Sequence, residues 1–498
     1  MNAAPHSAAA RADSLDILAL FQAREAERYS LASRHMNRAL TQVLRTIGFD
    51  VGFVRGEGPY LYDRAGQRYL DLLSGWGVFG VGRNHPGVAR RLSDVLCAQL
   101  PGLVQMDAPV LASLLAEALL RRAPYLQKVH FVNSGSEAVE AAIKLARRAT
   151  GRAGIVYCEH AFHGLSLGAL SLNGEAIFRD GFGPLLPGCE SVPFNDLAAL
   201  ERSLASRPAA AFIVEPIQGH TVAVAADDYL PAAAALCKKH GSLLIVDEVQ
   251  TGLGRTGRFL AVEHWAVEPD MVLISKTLSG GFVPVAAVLA RKDLFDKVFD
   301  RMERAVVLGS TFAGNDLAMA AGLATLDVID AEGLVQNADR LGQRLIAALE
   351  VIARRYELVA DVRGKGLMIG VELGEPRSPA LRASWRLLEA ANKGLIAQAI
   401  TIPLLKEERV LAQVAGHASH TIKLLPALTI SDDDCAWIQR SFEAVIASAH
   451  RAPGPLWVVA KALAGGALRS SAIGAPLSSR ARRSSGTTSG SGRRASAR

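Results

Sequence analysis

The sequence predicts an α/β protein built on a mostly parallel sheet, and three observations predict it. From residue 129 onward, short apolar runs alternate with segments of helical spacing, the pattern of repeated strand–helix–strand units. Those runs are apolar throughout rather than at every second residue, as strands covered on both faces must be. Two of them then end abruptly in charge: Leu243-Leu244-Ile245-Val246 in Asp247-Glu248, and Met271-Val272-Leu273-Ile274-Ser275 in Lys276. The C-terminal ends of strands are where open α/β sheets place their ligands.

The elements follow in order. Residues 14–45 place Leu15, Leu18, Leu20, Phe21, Leu31, Met36, Leu40, Val43 and Leu44 at helical spacing. They predict one or two amphipathic helices packed on the body or on a second subunit. Residues 58–71 alternate around Asp63-Arg64-Ala65-Gly66 and read as a hairpin. The glycine-rich stretch 74–82 reads as a loop, whose Trp76 and Phe79 either wall a pocket or pack in the core. Strands are expected at 129–132, 154–158, 211–214, 243–249, 271–275 and 285–289, with helices at 136–149, 227–240 and 315–329. A long helix from 326 through 347 then opens a smaller α+β region, in which 364–372 reads as one strand.

At 498 residues the chain can form two or more domains. The expected division is 1–75 (helices and hairpin, part of a small domain), 76–325 (large domain), 326–449 (C-terminal small domain) and 450–498, a basic tail. That tail is rich in Ser, Gly and Arg and is expected to be disordered, because it cannot bury enough apolar surface to offset its ordering entropy. The net charge of +7 belongs to the tail. Nine of the 55 Lys and Arg follow residue 450, where there is no Asp or Glu, so 46 basic face 48 acidic residues before it. The body therefore gives no electrostatic reason to expect a nucleic-acid partner. No apolar run approaches the roughly 18 residues of a membrane span, and the N-terminus lacks a secretory pattern. The five cysteines are scattered singly, without metal-ligand spacing, which fits reduced thiols and a cytoplasmic location.

The chemistry gathers at two strand ends. A lysine at the mouth of a buried strand is costly unless it is paired or chemically used. An acid and a lysine presented from adjacent strand ends match the needs of pyridoxal phosphate, which takes a lysine on its aldehyde and an anion at its ring nitrogen. Ser134-Gly135-Ser136 opens an Ala-rich helix and offers either a phosphate seat or an ordinary N-cap. Gly252-Leu253-Gly254-Arg255-Thr256-Gly257 is a literal G-x-G-x-x-G, yet no helix pattern follows it and the next strand ends in Lys276, so the dinucleotide reading is rejected.

Six stretches, taken together, resemble the class III (subgroup II) aminotransferases and occur in that family's order over roughly residues 45–447. They are Asn133-Ser134-Gly135-Ser136-Glu137-Ala138, Phe162-His163-Gly164, Glu215-Pro216-Ile217-Gln218-Gly219, Asp247 through Gly257, Ser275-Lys276, and Ser310-Thr311-Phe312-Ala313-Gly314-Asn315. The resemblance implies the fold type I of pyridoxal-phosphate transferases, with a seven-stranded sheet in the large domain and a smaller α+β domain. It implies that Lys276 is the Schiff-base lysine and that Asp247 pairs with the pyridine nitrogen. Phe162 would lie on the ring, Gln250 near the phenolic oxygen, and Ser134, Gly135 and Ser136 at the phosphate. His163 is left either behind the ring or merely packed. Thr311 matches a residue that reaches the phosphate from the neighbouring subunit, which implies a homodimer with its active site at the interface.

Departures from the ornithine-type pattern narrow the substrate. Leu165 stands where such members carry an arginine, His220 where they carry a glutamate, and Lys423 where they usually carry another arginine. Lysine is a poorer carboxylate fork than arginine, and leucine is none. With Trp76 and Phe79, this favours an amine with an uncharged, apolar body, the keto-acid partner being held by Lys423 or Arg363. The stretch 162–171 and Pro184-Leu185-Leu186-Pro187-Gly188 look most similar to the putrescine aminotransferase branch. The implied reaction interconverts a terminal amine and an aldehyde, with glutamate/2-oxoglutarate or alanine/pyruvate as partner. The alternatives are an ornithine- or acetylornithine-type aminotransferase, or an aminomutase or decarboxylase on the same scaffold.

Overall fold

A computed structural model describes residues 15–104, 107–391, 394–416 and 419–450. The expected tail beyond 450 lies outside the described residues. The largest sheet has seven strands, in spatial order Lys128–Val132, Ala286–Ala290, Met271–Ile274, Leu243–Asp247, Ala209–Val214, Gly154–Cys158 and Cys189–Val192. Only Ala286–Ala290 runs antiparallel to its neighbours; the other pairings are parallel. Every residue of the four strands from Ala209–Val214 through Ala286–Ala290 is buried, which is why they read as unbroken apolar runs. Helix Gly135–Thr150 lies on this sheet through Ala138, Ala141, Ala142, Ile143 and Leu145. Its alanines let the backbone lie close to the strands.

A second sheet joins an early and a late segment of the chain. The strands Phe53–Glu57, Tyr60–Asp63 and Arg68–Asp71 form an antiparallel meander, and Val410–Leu411 adds to its edge in parallel with Arg68–Asp71. A third sheet is antiparallel, in the order Val359–Lys365, Met368–Leu373, Thr421–Leu424, Gln413–Val414. Helices Leu334–Arg355 and Asp432–His450 pack together behind it.

Two expectations are corrected here. The helix expected from 326 through 347 is two helices, Asp316–Ala331 and Leu334–Arg355, broken at Gly333, which takes the left-handed conformation at φ +60°. The strand expected over 364–372 holds from Met368 onward, but it begins later than expected: the chain reverses at Gly366-Leu367, and residues 364–365 close the preceding strand Val359–Lys365 of a hairpin with Met368–Leu373.

The rejected G-x-G-x-x-G loop opens no α-helix, as its sequence implied; a single 3₁₀ turn, Ala261–Trp265, follows. Within it Arg255 is fully enclosed and donates to the backbone carbonyls of Leu367 (3.2 Å) and Pro426. It ties the loop after Asp247 to the antiparallel sheet that carries Lys423.

Candidate active site

The site forms where Leu243–Asp247 and Met271–Ile274 end side by side, with Asp247 level with Leu273. Asp247 and Glu248 point to opposite faces, as successive strand residues must. Glu248 turns into the core, accepting from Val262 N (2.7 Å) and the Thr251 hydroxyl. Asp247 is the buried acid of the site. Its Oδ1 accepts from Val249 N (3.0 Å), and its Oδ2 lies 2.7 Å from Nδ1 of His163. Burial alone would push the His163 imidazole down, but the Asp247 hydrogen bond and charge, with Glu215 behind them, raise it.

Lys276 follows directly, at φ +41°. A non-glycine residue held in the left-handed region costs about 1–3 kcal/mol and tends to mark a functional position. Burial depresses its ammonium, against the opposing charges of Asp247 and Glu215. Glu215 is the residue that sequence reasoning passed over. It is buried, accepts from Phe162 N (3.1 Å) and Gly219 N (2.8 Å), and is pushed up by burial. The signal was present: it follows the wholly apolar strand Ala209–Val214, in the same relation as Asp247 to its own strand.

Ser134 caps helix Gly135–Thr150, its Oγ accepting from Glu137 N (3.2 Å). Gly135 and Ser136 are the first two residues of that helix, so their amides have no intrahelical acceptor. A Cβ on Gly135 would meet Val249 Cγ1 at 3.0 Å. Leu165 N donates to Ser136 Oγ (3.3 Å), which brings the Phe162-His163-Gly164-Leu165 turn against the helix start. Phe162 stacks on His220, with centroids 4.7 Å apart and planes at 30°, and meets Phe178 edge-on. Burial and the neighbouring Lys423 push His220 down to about 4.

Gln250 donates to the Trp76 carbonyl (3.0 Å), and Trp76 Nε1 donates to Gln413 (2.6 Å). Lys423 stands directly across the strand pair from Gln413 and donates to Gly219 O (2.7 Å) and Gln250 Oε1 (3.4 Å). The structure thus brings Trp76, His220, Gln250 and Lys423 together with Asp247, Glu215 and Lys276. Leu165, 55% exposed, stands at the helix start. Phe79 instead packs against Gly75 and Gly281 beneath the Arg83 guanidinium, and is not gathered into this group. Thr311 is exposed, next to Ser310, whose Oγ accepts from Asn133 (2.7 Å).

Arg363 is placed differently from its expectation. Its donors go to Val222 O (3.1 Å), Thr221 O (2.6 Å), Thr421 Oγ1, Asp361 and Glu372. A guanidinium so committed clamps the third sheet to the 221–222 turn and has no free edge to offer a substrate carboxylate.

This donor set fits pyridoxal phosphate. The paired amides at a helix N-terminus suit the phosphate. Asp247, a buried acid with no lysine or arginine in ion-pair contact, suits a protonated ring nitrogen, Phe162 the ring, and the buried Lys276 the aldehyde. A seven-stranded, almost wholly parallel sheet with acid and lysine at its strand ends defines a pyridoxal-phosphate-dependent transferase.

Comparison with known proteins places it further: residues 46–446 match the class-III aminotransferase family, and the chain belongs to it. It is 36% identical to the putrescine aminotransferase of Pectobacterium atrosepticum over 80% of this chain and 84% of that one. It is 42% identical to the acetylornithine aminotransferase of Methanopyrus kandleri over 66% and 82%. To the aminotransferase PigE of a Serratia species it is 35% identical over 80% of this chain, a match that spans only 50% of PigE. The ornithine aminotransferase structure from Toxoplasma gondii superposes with a TM-score of 0.76 at 28% identity, covering 88% of this chain and 99% of that one. The chain is accordingly a pyridoxal-phosphate-dependent aminotransferase. Among the described residues no helix is long and apolar enough to cross a membrane.

Proposed function

We propose that this aminotransferase moves an amino group between a terminal primary amine with an uncharged, apolar body and a keto acid, forming an aldehyde. One observation carries the reading: the substrate side of the site holds Leu165, Trp76 and a neutral His220, and Arg363, the arginine expected to serve it, is already spent on other partners. The arginine fork that grips an α-amino-acid donor tightly is missing there, which leaves Lys423, a poorer fork, for the carboxylate of the keto-acid partner. The similarity to a putrescine aminotransferase supports the same donor class.

Pyridoxal phosphate supplies the electron sink that stabilises a carbanion at the substrate carbon. Gly135 and Ser136 would hold its phosphate, and Phe162 would support the ring. Asp247, oriented by His163, would keep the ring nitrogen protonated. Gln250 would serve the phenolic oxygen. Lys276, whose burial favours the neutral amine, would carry the cofactor's aldehyde and, once displaced by the substrate amine, would take up the proton at the substrate carbon.

The active unit is a homodimer in the cytoplasm. Exposed Leu96 and Phe312 line one cleft, exposed Val110 lines another with Ala313 and Gly314, and Met302 and Val306 are exposed on the stretch of chain leading to Thr311, which suits a subunit contact. The five cysteines are free thiols.

The test is turnover by the purified, cofactor-loaded protein. Putrescine and 1-aminoalkanes should each be converted with 2-oxoglutarate or pyruvate, and no product should form without a keto acid. Turnover of acetylornithine alone would overturn the donor assignment.

A further inference from the structure

Lys423 is an anomaly in this site. It is 4% exposed, and its ammonium donates only to uncharged oxygens, Gly219 O and Gln250 Oε1. A buried ammonium is costly without an anion, and every nearby anion is engaged elsewhere. Glu215 is held by the Phe162 and Gly219 amides, while Asp247 is held by His163. Asp361 and Glu372, on the neighbouring strands, are claimed by Arg363. The other groups around it are no help: Lys276 offers no anion, and His220 is uncharged with its Nδ1 unpartnered. Lys423 is thus a cation with a vacant need for a carboxylate, set one hydrogen bond from Gln250 and directly opposite Gln413, which Trp76 holds.

We infer that Lys423 is a proton-gated anchor, charged when it holds the carboxylate of the keto acid and uncharged when the cleft holds the apolar amine. The inference deepens the two-substrate reading above and rests on it. One cleft must admit in turn a molecule with a carboxylate and a molecule without one. A permanently charged arginine would impose its desolvation cost on the amine. A lysine can shed its proton instead, and burial holds Lys423 down at about 7. Only the bond to Gln250, the longer of its two, must be exchanged for a carboxylate oxygen.

The experiment is calorimetric titration of the full-length, cofactor-loaded protein with glutarate and propionate, unreactive mimics of the two keto-acid types. It is run from pH 6 to 9 in two buffers of different ionisation heat. We expect at least one mimic to bind with a Kd that is flat below about pH 7 and rises about tenfold per unit above it, by the linkage of one proton to binding. Close to one proton should be taken up per ligand at the alkaline end. Lys423→Arg should bind tightly with no pH dependence and no uptake, and Lys423→Met weakly and also without pH dependence. A wild-type Kd that ignores pH, uptake that persists in Lys423→Arg, or no binding of either mimic at pH 6 would overturn the inference. Wild type and Lys423→Arg decide the matter even if Lys423→Met fails to fold. No turnover is required, so a wrong donor assignment and a wrong role for Lys423 give different results.

Discussion

Gly164→Ala is the most informative single change at the cofactor seat. Gly164 sits at φ +127°, a region closed to residues with a side chain, and a Cβ there would lie 2.2 Å from Ser136 Oγ, 2.8 Å from its Cβ and 3.0 Å from its Cα. The hydroxyl can rotate away, but Cβ and Cα belong to the first turn of helix Gly135–Thr150, so relief requires the turn or the helix start to move. Backbone strain of about 1–3 kcal/mol and overpacking of similar size give a destabilisation on the order of 2–6 kcal/mol. Because the displaced atoms carry the amides assigned to the phosphate, the dissociation constant for pyridoxal phosphate should rise by about 10- to 100-fold, or about 1.4–2.8 kcal/mol. The assay pairs urea unfolding of the apo-protein with a fluorescence titration of the cofactor. A destabilised variant with wild-type cofactor affinity would show that this turn does not set the seat. Unchanged stability would refute the steric reasoning itself.

Two further outcomes test the acids. Asp247→Asn keeps the shape but removes the charge, and should lower kcat/KM by about 10²–10³-fold while letting burial pull the His163 imidazole down; activity within tenfold of wild type would exclude the assigned role. Glu248 is pushed up to about 7 by burial from an ordinary 4.5, so the folded state binds a proton that the unfolded chain lacks between those values. Stability from this group is full below 4.5 and is lost as pH rises to about 7, at up to about 1.4 kcal/mol per unit. Glu248→Gln, which can still accept from Val262 and donate to Thr251, should flatten that decline in urea midpoints, and an unchanged slope would assign it to other groups.

The reactive half of the site was legible because the physics that buries a strand also displays its end. Asp247, Lys276 and the Ser134-Gly135-Ser136 seat each terminate an apolar run or open a helix, and a one-dimensional pattern records both. Glu215 obeys the same rule and was still passed over, absorbed into a motif rather than weighed as a buried carboxylate. The substrate side was less legible, since the fate of a cation depends on its partners. Arg363 reads as a free fork until the hairpin sets Glu372 beside it and the 221–222 turn comes to meet it. Asp361, two residues away, was the one local hint. The edge strand Cys189–Val192 went unseen for another reason: Glu190 and Ser191 face solvent, so it lacks the continuous apolar signature of the interior strands.

The position of Lys128–Val132 bears on how the enzyme is made. This strand leads into the phosphate seat, yet among the described residues its sole neighbour in the sheet is Ala286–Ala290, synthesised only after the whole of 133–285. A nascent chain can pair the strands from 154 to 274 as they emerge, while the strand beneath the seat waits unpaired for its partner. Such long-range closure is slow and leaves a sticky edge exposed meanwhile. Cofactor capture should therefore be among the last events of biogenesis, and chains released before residue 290 should aggregate rather than accumulate as a cofactor-binding fragment.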